Sequence, residues 1–193
     1  MTDHPALRID HVSIAVRDYD KAHRFFSTLL GAVPGAAAED PVTKFLPELA
    51  NLKVATSAEN LDNLVPATRA PTMNEVMTHT AGFGYGLSAS NAVDRAYIAE
   101  QPMEKKDLPA LVKRVSEIPL LAQPGEKWSY SIAVDLQGAI VEKLSGKKFG
   151  DYLEQNIFSP LGMKDTGFWL TEAERARFAT VYQRNATTGA WDV

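Results

Sequence analysis

The chain has no cysteine among its 193 residues. That excludes disulfide staples, thiolate metal sites and a cysteine nucleophile. Basic residues are outnumbered, 20 Lys and Arg against 24 Asp and Glu, and the formal charge of −4 argues against a nucleic-acid partner. No dense basic run offsets this. Lys105-Lys106 lies between Glu104 and Asp107 and reads as a solvated mixed-charge face. No stretch approaches the ~18 consecutive apolar residues of a membrane span, so no membrane partner is expected. The first ten residues have neither a basic start nor an apolar core, which excludes a visible secretory signal and sets a cytoplasmic expectation. Gly-rich phosphate loops, dinucleotide fingerprints and Ca²⁺ loops are also missing, so no cofactor is expected. What remains, 45% hydrophobic with 12 Gly and 11 Pro, is the composition of a globular protein. Its length suits one ordinary domain with a small appendage.

The pattern of the chain divides it into residues 1–38 and 39–193. In the first piece, alternation over Ile9–Val16 predicts a strand, and Asp18 caps a predicted helix from Tyr19 to Leu30. Ala22, Phe25, Phe26, Leu29 and Leu30 share its apolar face, and Gly31 supplies the stop. The junction is expected between Gly35 and Glu39. In the second piece, helical spacing appears over Asn74–Met77, Ala92–Gln101, Leu108–Ile118, Ile132–Leu144 and Phe149–Ile157. Pro109 suits a first helical turn, Pro124-Gly125 signals a turn, and Gly146 ends a helix. The fold class expected is α+β and predominantly helical.

The run Gln123-Pro-Gly-Glu-Lys-Trp-Ser-Tyr-Ser-Ile-Ala133, with Thr78-His79-Thr80-Ala81-Gly82-Phe83 and Asp40-Pro41-Val42-Thr43-Lys44-Phe45-Leu46-Pro47 before it and Phe158-Ser-Pro-Leu-Gly-Met163 after it, resembles the serine β-lactamase, penicillin-binding protein and carboxylesterase superfamily. The resemblance spans about residues 39–193 and implies part of the helical domain of a β-lactamase-like fold. It implies that Tyr130 takes the proton from a serine nucleophile and returns it to the leaving group. An ordinary phenol titrates near ~10, so such a base needs an ammonium nearby. It also implies that Trp128, Ser131 and Ile132, with the loop Phe83, Gly84 and Tyr85, line the substrate side of the cleft. The partner implied is a small ester or amide. Ile132 stands where β-lactamases carry an asparagine and cannot donate its amide hydrogen bond, which favours carboxylesterase-like members. Trp128 is expected at the pocket rim and Trp169 in the core.

The family's nucleophile lies in a Ser-x-x-Lys motif upstream, and nothing there matches. Ser145-Gly146-Lys147-Lys148 has the spacing, but glycine breaks the helix on which both side chains must share a face, so it reads as a helix end. Gly86-Leu87-Ser88-Ala89-Ser90 misses the Gly-x-Ser-x-Gly elbow by its last residue and reads as a polar loop. Ser131 is a neighbour of the base rather than its target, and His79 is expected to hydrogen-bond its own turn. The activity is therefore expected to be impaired, in a chain that is truncated or chimeric. Helices that cover a sheet in that fold would also expose apolar faces, which predicts marginal stability or burial against the N-terminal unit or a second copy.

The opening Arg8-Ile-Asp-His-Val-Ser-Ile-Ala-Val16 and Phe25-Phe-Ser-Thr-Leu-Leu-Gly31 resemble the first β-α unit of the vicinal-oxygen-chelate family, which includes glyoxalases and methylmalonyl-CoA epimerases. That resemblance places His11 at a metal-ligand position. One imidazole cannot hold a catalytic divalent ion, so no metal is expected. A metal-dependent lyase or epimerase remains one alternative, and a non-catalytic binding module the other.

Overall fold

The computed structural model describes residues 37–180, 182–185 and 187–192. Of the β-α unit expected over residues 1–38, residues 1–36 lie outside them, with His4, His11 and His23. Short polar side chains set the helix starts. Thr72 opens α1 (Met73–Met77) with a capping box: its hydroxyl accepts the Glu75 N–H, and the Glu75 carboxylate accepts the Thr72 N–H. Asn91 caps α2 (Ala92–Glu100) and Asp107 caps α3 (Leu108–Ser116), each accepting an N–H three residues on. Pro109 sits in the first turn of α3, where its missing N–H costs nothing. The long helix α4 (Ala133–Ser145) ends at Gly146 in the left-handed region, so Ser145 is its last residue and not a nucleophile position. The stretch expected as one helix over 149–157 is α5 (Phe149–Leu153) followed by a π-turn over Glu154–Phe158.

Two three-residue strands, β1 (Lys53–Ala55) and β2 (Leu64–Pro66), pair antiparallel with Val54 opposite Val65. They are too short for alternation to reveal. Leu120 continues the ladder on the other side of β1: its N–H donates to Lys53 O, and its carbonyl accepts from Ala55. Leu121 in turn donates to Gly82 O. Gly82 must be glycine there, because a Cβ would meet the Ala122 carbonyl oxygen at 2.3 Å and φ is +87°.

The apolar faces of α1, α3 and α4 meet the 3₁₀ turns at Val42–Lys44 and Pro47–Asn51 in one core, where Val42, Leu49, Val76, Val112, Val115, Leu120 and Leu136 are fully buried. This core belongs to a unit ending at Phe149; residues from Gly150 form a second unit. The second unit holds α6 (Glu172–Arg175) and the ladder β3 (Gln183–Arg184) with β4 (Trp191–Asp192). None of its described residues is buried. Trp169, expected in the core, is 85% exposed, because no layer of this unit covers it. No helix among the described residues is long and apolar enough to cross a membrane.

Glu75 forms a forked ion pair with Arg69, Nη1 to Oε2 at 2.8 Å and Nη2 to Oε1 at 2.5 Å, while Nη2 also donates to Pro124 O. The pair thus ties α1 to the Pro124-Gly125 turn. The Arg69 guanidinium, against the cost of burial, holds the Glu75 carboxyl below its ordinary range. Arg69 is half exposed, which places the pair between surface and buried cases. Glu75→Gln is expected to lower stability by about 1–2 kcal/mol. Glu75's lowered value makes its contribution fully present above its ordinary value of 4.5 and lost as pH falls below that towards the folded value. Urea midpoints of both proteins at pH 7 and pH 3 check this; a gap that persists undiminished at pH 3 contradicts it.

Candidate functional site

The segments Thr78–Gly86 and Leu120–Ile132 are joined by hydrogen bonds and carry every side chain the sequence proposed for the site. Gly125 donates to Thr80 O, Ser129 to His79 O and Ile132 to Gly84 O. Tyr130 therefore sits between the anchored Ser129 and Ile132, three residues before the start of α4. Its ring is 40% exposed. One face stacks on His79, with centroids 4.8 Å apart and planes 28° apart. Tyr85 meets it edge-on at 5.5 Å, and Trp128, itself exposed, stands edge-on to His79 at 6.3 Å. The result is a row, Trp128–His79–Tyr130–Tyr85.

The other expected lining residues are placed differently. Phe83 is 1% and Ile132 0% exposed, so both pack the core and present no surface to a ligand. The pattern could not separate these readings, because both are apolar residues beside a motif. Gly84 is buried beneath the Tyr97 ring, and its contribution is the carbonyl that holds Ile132. Ser131 is 2% exposed. Its Oγ lies 3.0 Å from His79 Nδ1, and its N–H donates to the same nitrogen at 3.2 Å. A sealed hydroxyl cannot reach a substrate carbonyl, so this Ser-His contact is structural. Ser88 and Ser90 hydrogen-bond each other in the exposed polar loop that the sequence suggested.

Two residues of the site carried no motif. Asp94, one turn into α2, accepts the N–H groups of Tyr85 at 3.2 Å and Gly86 at 3.0 Å, clasping the loop that carries Tyr85. The Asn91-x-x-Asp94 spacing was the available signal, since Asn91 caps the helix and donates to Asp94 Oδ2. Asp135, on the first turn of α4, is half-buried, and burial pushes its carboxyl up. Burial, Asp135 and Tyr130, in that order, push the Tyr85 phenol up. The Tyr97 phenol is pushed up by full burial, and its hydroxyl has no hydrogen-bond partner among the described residues. No described side chain hydrogen-bonds the Tyr130 hydroxyl. The described residues thus supply Tyr130 with aromatic neighbours and leave the ammonium that a phenolic base requires unassigned. They contain no group of three or more His, Asp or Glu that could hold a metal ion.

Comparison with known proteins places these elements in context. The Beta-lactamase family profile matches residues 35–193, and the chain belongs to that family. It is 35% identical over 149 residues to esterase EstB of Burkholderia gladioli, covering 76% of this chain and 35% of the relative. It is 32% identical over 152 residues to lovastatin esterase of Penicillium rubens, covering 77% and 37%. Simvastatin synthase (LovD) of Aspergillus terreus superposes with a TM-score of 0.65 at 26% identity, covering 89% of this chain and 41% of that one. The chain thus spans little more than a third of the length of the curated relatives it matches. Two of these relatives are esterases, which supports a serine-hydrolase-like function at the level of the family.

Asp94→Ala removes two hydrogen bonds from a carboxylate to the Tyr85 loop, and each charge-assisted bond is worth roughly 1.5–3 kcal/mol. With partial replacement by water at this half-buried site, a loss of about 2 kcal/mol is expected. The urea midpoint measures it, and a midpoint equal to wild type contradicts the clasp.

Proposed function

We propose that this member of the Beta-lactamase family supplies the helical side of an acyl-transfer cleft of the carboxylesterase type, with Tyr130 as its proton acceptor. The observation that carries the reading is the mount of Tyr130: a solvent-facing phenol held between His79 and Tyr85, in the motif that opens α4. The chemistry is a two-step acyl transfer. A serine oxygen attacks the ester carbonyl carbon, its proton passing to the Tyr130 phenoxide oxygen. That proton then goes to the departing alkoxide as the C–O bond breaks, and water hydrolyses the acyl-serine by the same proton route. Ile132 supports an ester rather than a β-lactam substrate, because no side-chain amide stands two residues after the tyrosine. Trp128, exposed beside His79, offers an apolar platform for the acyl or alcohol part of a small ester.

Turnover by the described residues is proposed to be impaired. Ser145 ends a helix, Ser131 is sealed against His79 and Ser88 lies in a loop bonded to Ser90. Two measurements test both halves. A small phosphonate ester should quench tryptophan emission weakly but saturably, and the quench should vanish in Trp128→Phe; no saturable quench contradicts the substrate site. A fluorophosphonate probe should leave the mass of the chain unchanged; a stoichiometric adduct overturns the impairment.

A second copy of the chain is the proposed macromolecular partner, through the helical face where Met77 of α1 and Val134 of α4 are exposed. At ~25 cal/mol per Å², covering a few hundred Å² of such surface is worth several kcal/mol, comparable to a domain's margin of ~5–15 kcal/mol. Sedimentation velocity should show a concentration-dependent dimer; a monomer at all concentrations, with the urea midpoint of a robust domain, contradicts it.

A further inference from the structure

His79 has three features that the proposed chemistry does not use. Its backbone is left-handed, with φ 59°, although it is not a glycine. Its ring lies flat on Tyr130. Its Nδ1 faces two groups of one residue, the Ser131 N–H at 3.2 Å and the Ser131 hydroxyl at 3.0 Å. A backbone N–H can only donate, so Nδ1 is an acceptor and the neutral ring carries its proton on Nε2.

We propose that His79 is a positioning residue for Tyr130 and performs that role only as the neutral Nε2–H tautomer. Nδ1 fixes the backbone directly after the tyrosine, while the imidazole face fixes the plane of the phenol. The His79 carbonyl adds a third point by accepting the Ser129 N–H directly before it. One residue therefore grips Tyr130 on both sides in sequence and on one face in space. A phenol that must accept a proton from one oxygen and return it to another needs this fixed orientation. The inference rests on Tyr130 being the proton acceptor.

Protonating the ring places a second N–H against the Ser131 N–H, turning an attraction into a repulsion and freeing the backbone after Tyr130. Burial lowers the His79 value from its ordinary 6.5, which keeps the ring neutral in neutral solution. Tyr130 stacks on the ring, Tyr85 meets Tyr130 in turn, and Asp135 acts on Tyr85, while burial is the cause that shifts His79 itself. No described carboxylate hydrogen-bonds the imidazole to favour its charged form. The grip should therefore hold above pH 6.5 and loosen below it, as the lowered folded value is approached.

Nitrogen-15 histidine spectra of the full chain, with 3-fluorotyrosine incorporated and the Tyr130 signal assigned by Tyr130→Phe, test this without requiring turnover. The expected result is a proton on Nε2 and none on Nδ1 at pH 7.5. The Tyr130 fluorine signal should then step at the same midpoint as His79, below 6.5. His79→Asn tolerates the left-handed backbone and keeps an acceptor oxygen near the place of Nδ1 but has no ring. It should keep most of the urea midpoint while the Tyr130 step disappears. A residue that merely holds the fold would move the midpoint and leave Tyr130 without a step. A proton on Nδ1, or a Tyr130 signal indifferent to the His79 titration, overturns the proposal. Should His79→Asn fail to fold, the wild-type titration alone decides. Linked titration in a chain that shows no phosphonate-ester quench rejects the hydrolase reading while retaining the His79–Tyr130 linkage.

Discussion

The pairing of two irregular segments, Thr78–Gly86 and Leu120–Ile132, is the constraint from which the rest of the described site follows. Gly82, Thr80, His79 and Gly84 accept hydrogen bonds from Leu121, Gly125, Ser129 and Ile132 respectively. The segments have no regular strand spacing, so each bond fixes a particular side chain rather than a repeating pattern. Their two ends are held from different directions. Leu120 joins the β1 ladder, while the Arg69–Glu75 pair braces the Pro124-Gly125 turn. Asp94 clasps the far end of the loop at Tyr85 and Gly86. Between these supports the aromatic row is positioned with little freedom.

A tyrosine in such a row is prepared for orientation, but orientation is only half of what a phenolic base needs. In general a phenol acts as a base only where positive charge favours the phenoxide. The carboxylate of Asp135 acts in the opposite sense on Tyr85, the neighbour of Tyr130. No described side chain hydrogen-bonds the Tyr130 hydroxyl, and Ser131 is sealed against His79. The chain belongs to the Beta-lactamase family and covers 35–37% of its esterase relatives.

Sequence patterning revealed the helices well. Met73–Met77, Ala92–Glu100, Leu108–Ser116 and Ala133–Ser145 agree closely with the periodic segments, because capping residues and glycine stops act locally. The family motifs marked Tyr130 and the His79 turn separately, and the fold stacks the two rings on each other. Depth was not legible. Phe83 and Ile132 look like pocket residues by position in a motif, yet they are buried, because burial depends on which face of an irregular segment meets the core. Trp169 failed in the reverse direction, since a large aromatic is buried only if another layer covers it. The Arg69–Glu75 brace spans only six residues, but its role appears only when the turn at Pro124 folds over it. The Asp94 clasp likewise depends on a loop eight residues earlier returning to a helix start.

Native-state hydrogen exchange at the amides of Leu121, Gly125, Ser129 and Ile132 tests the central claim most directly, because each of these groups donates across the paired segments. If the pairing organises the site, the four amides exchange with one common opening free energy, matching that of the amides in α4. Exchange of Ser129 and Ile132 at the rate of an unprotected chain, while α4 remains protected, would contradict the account.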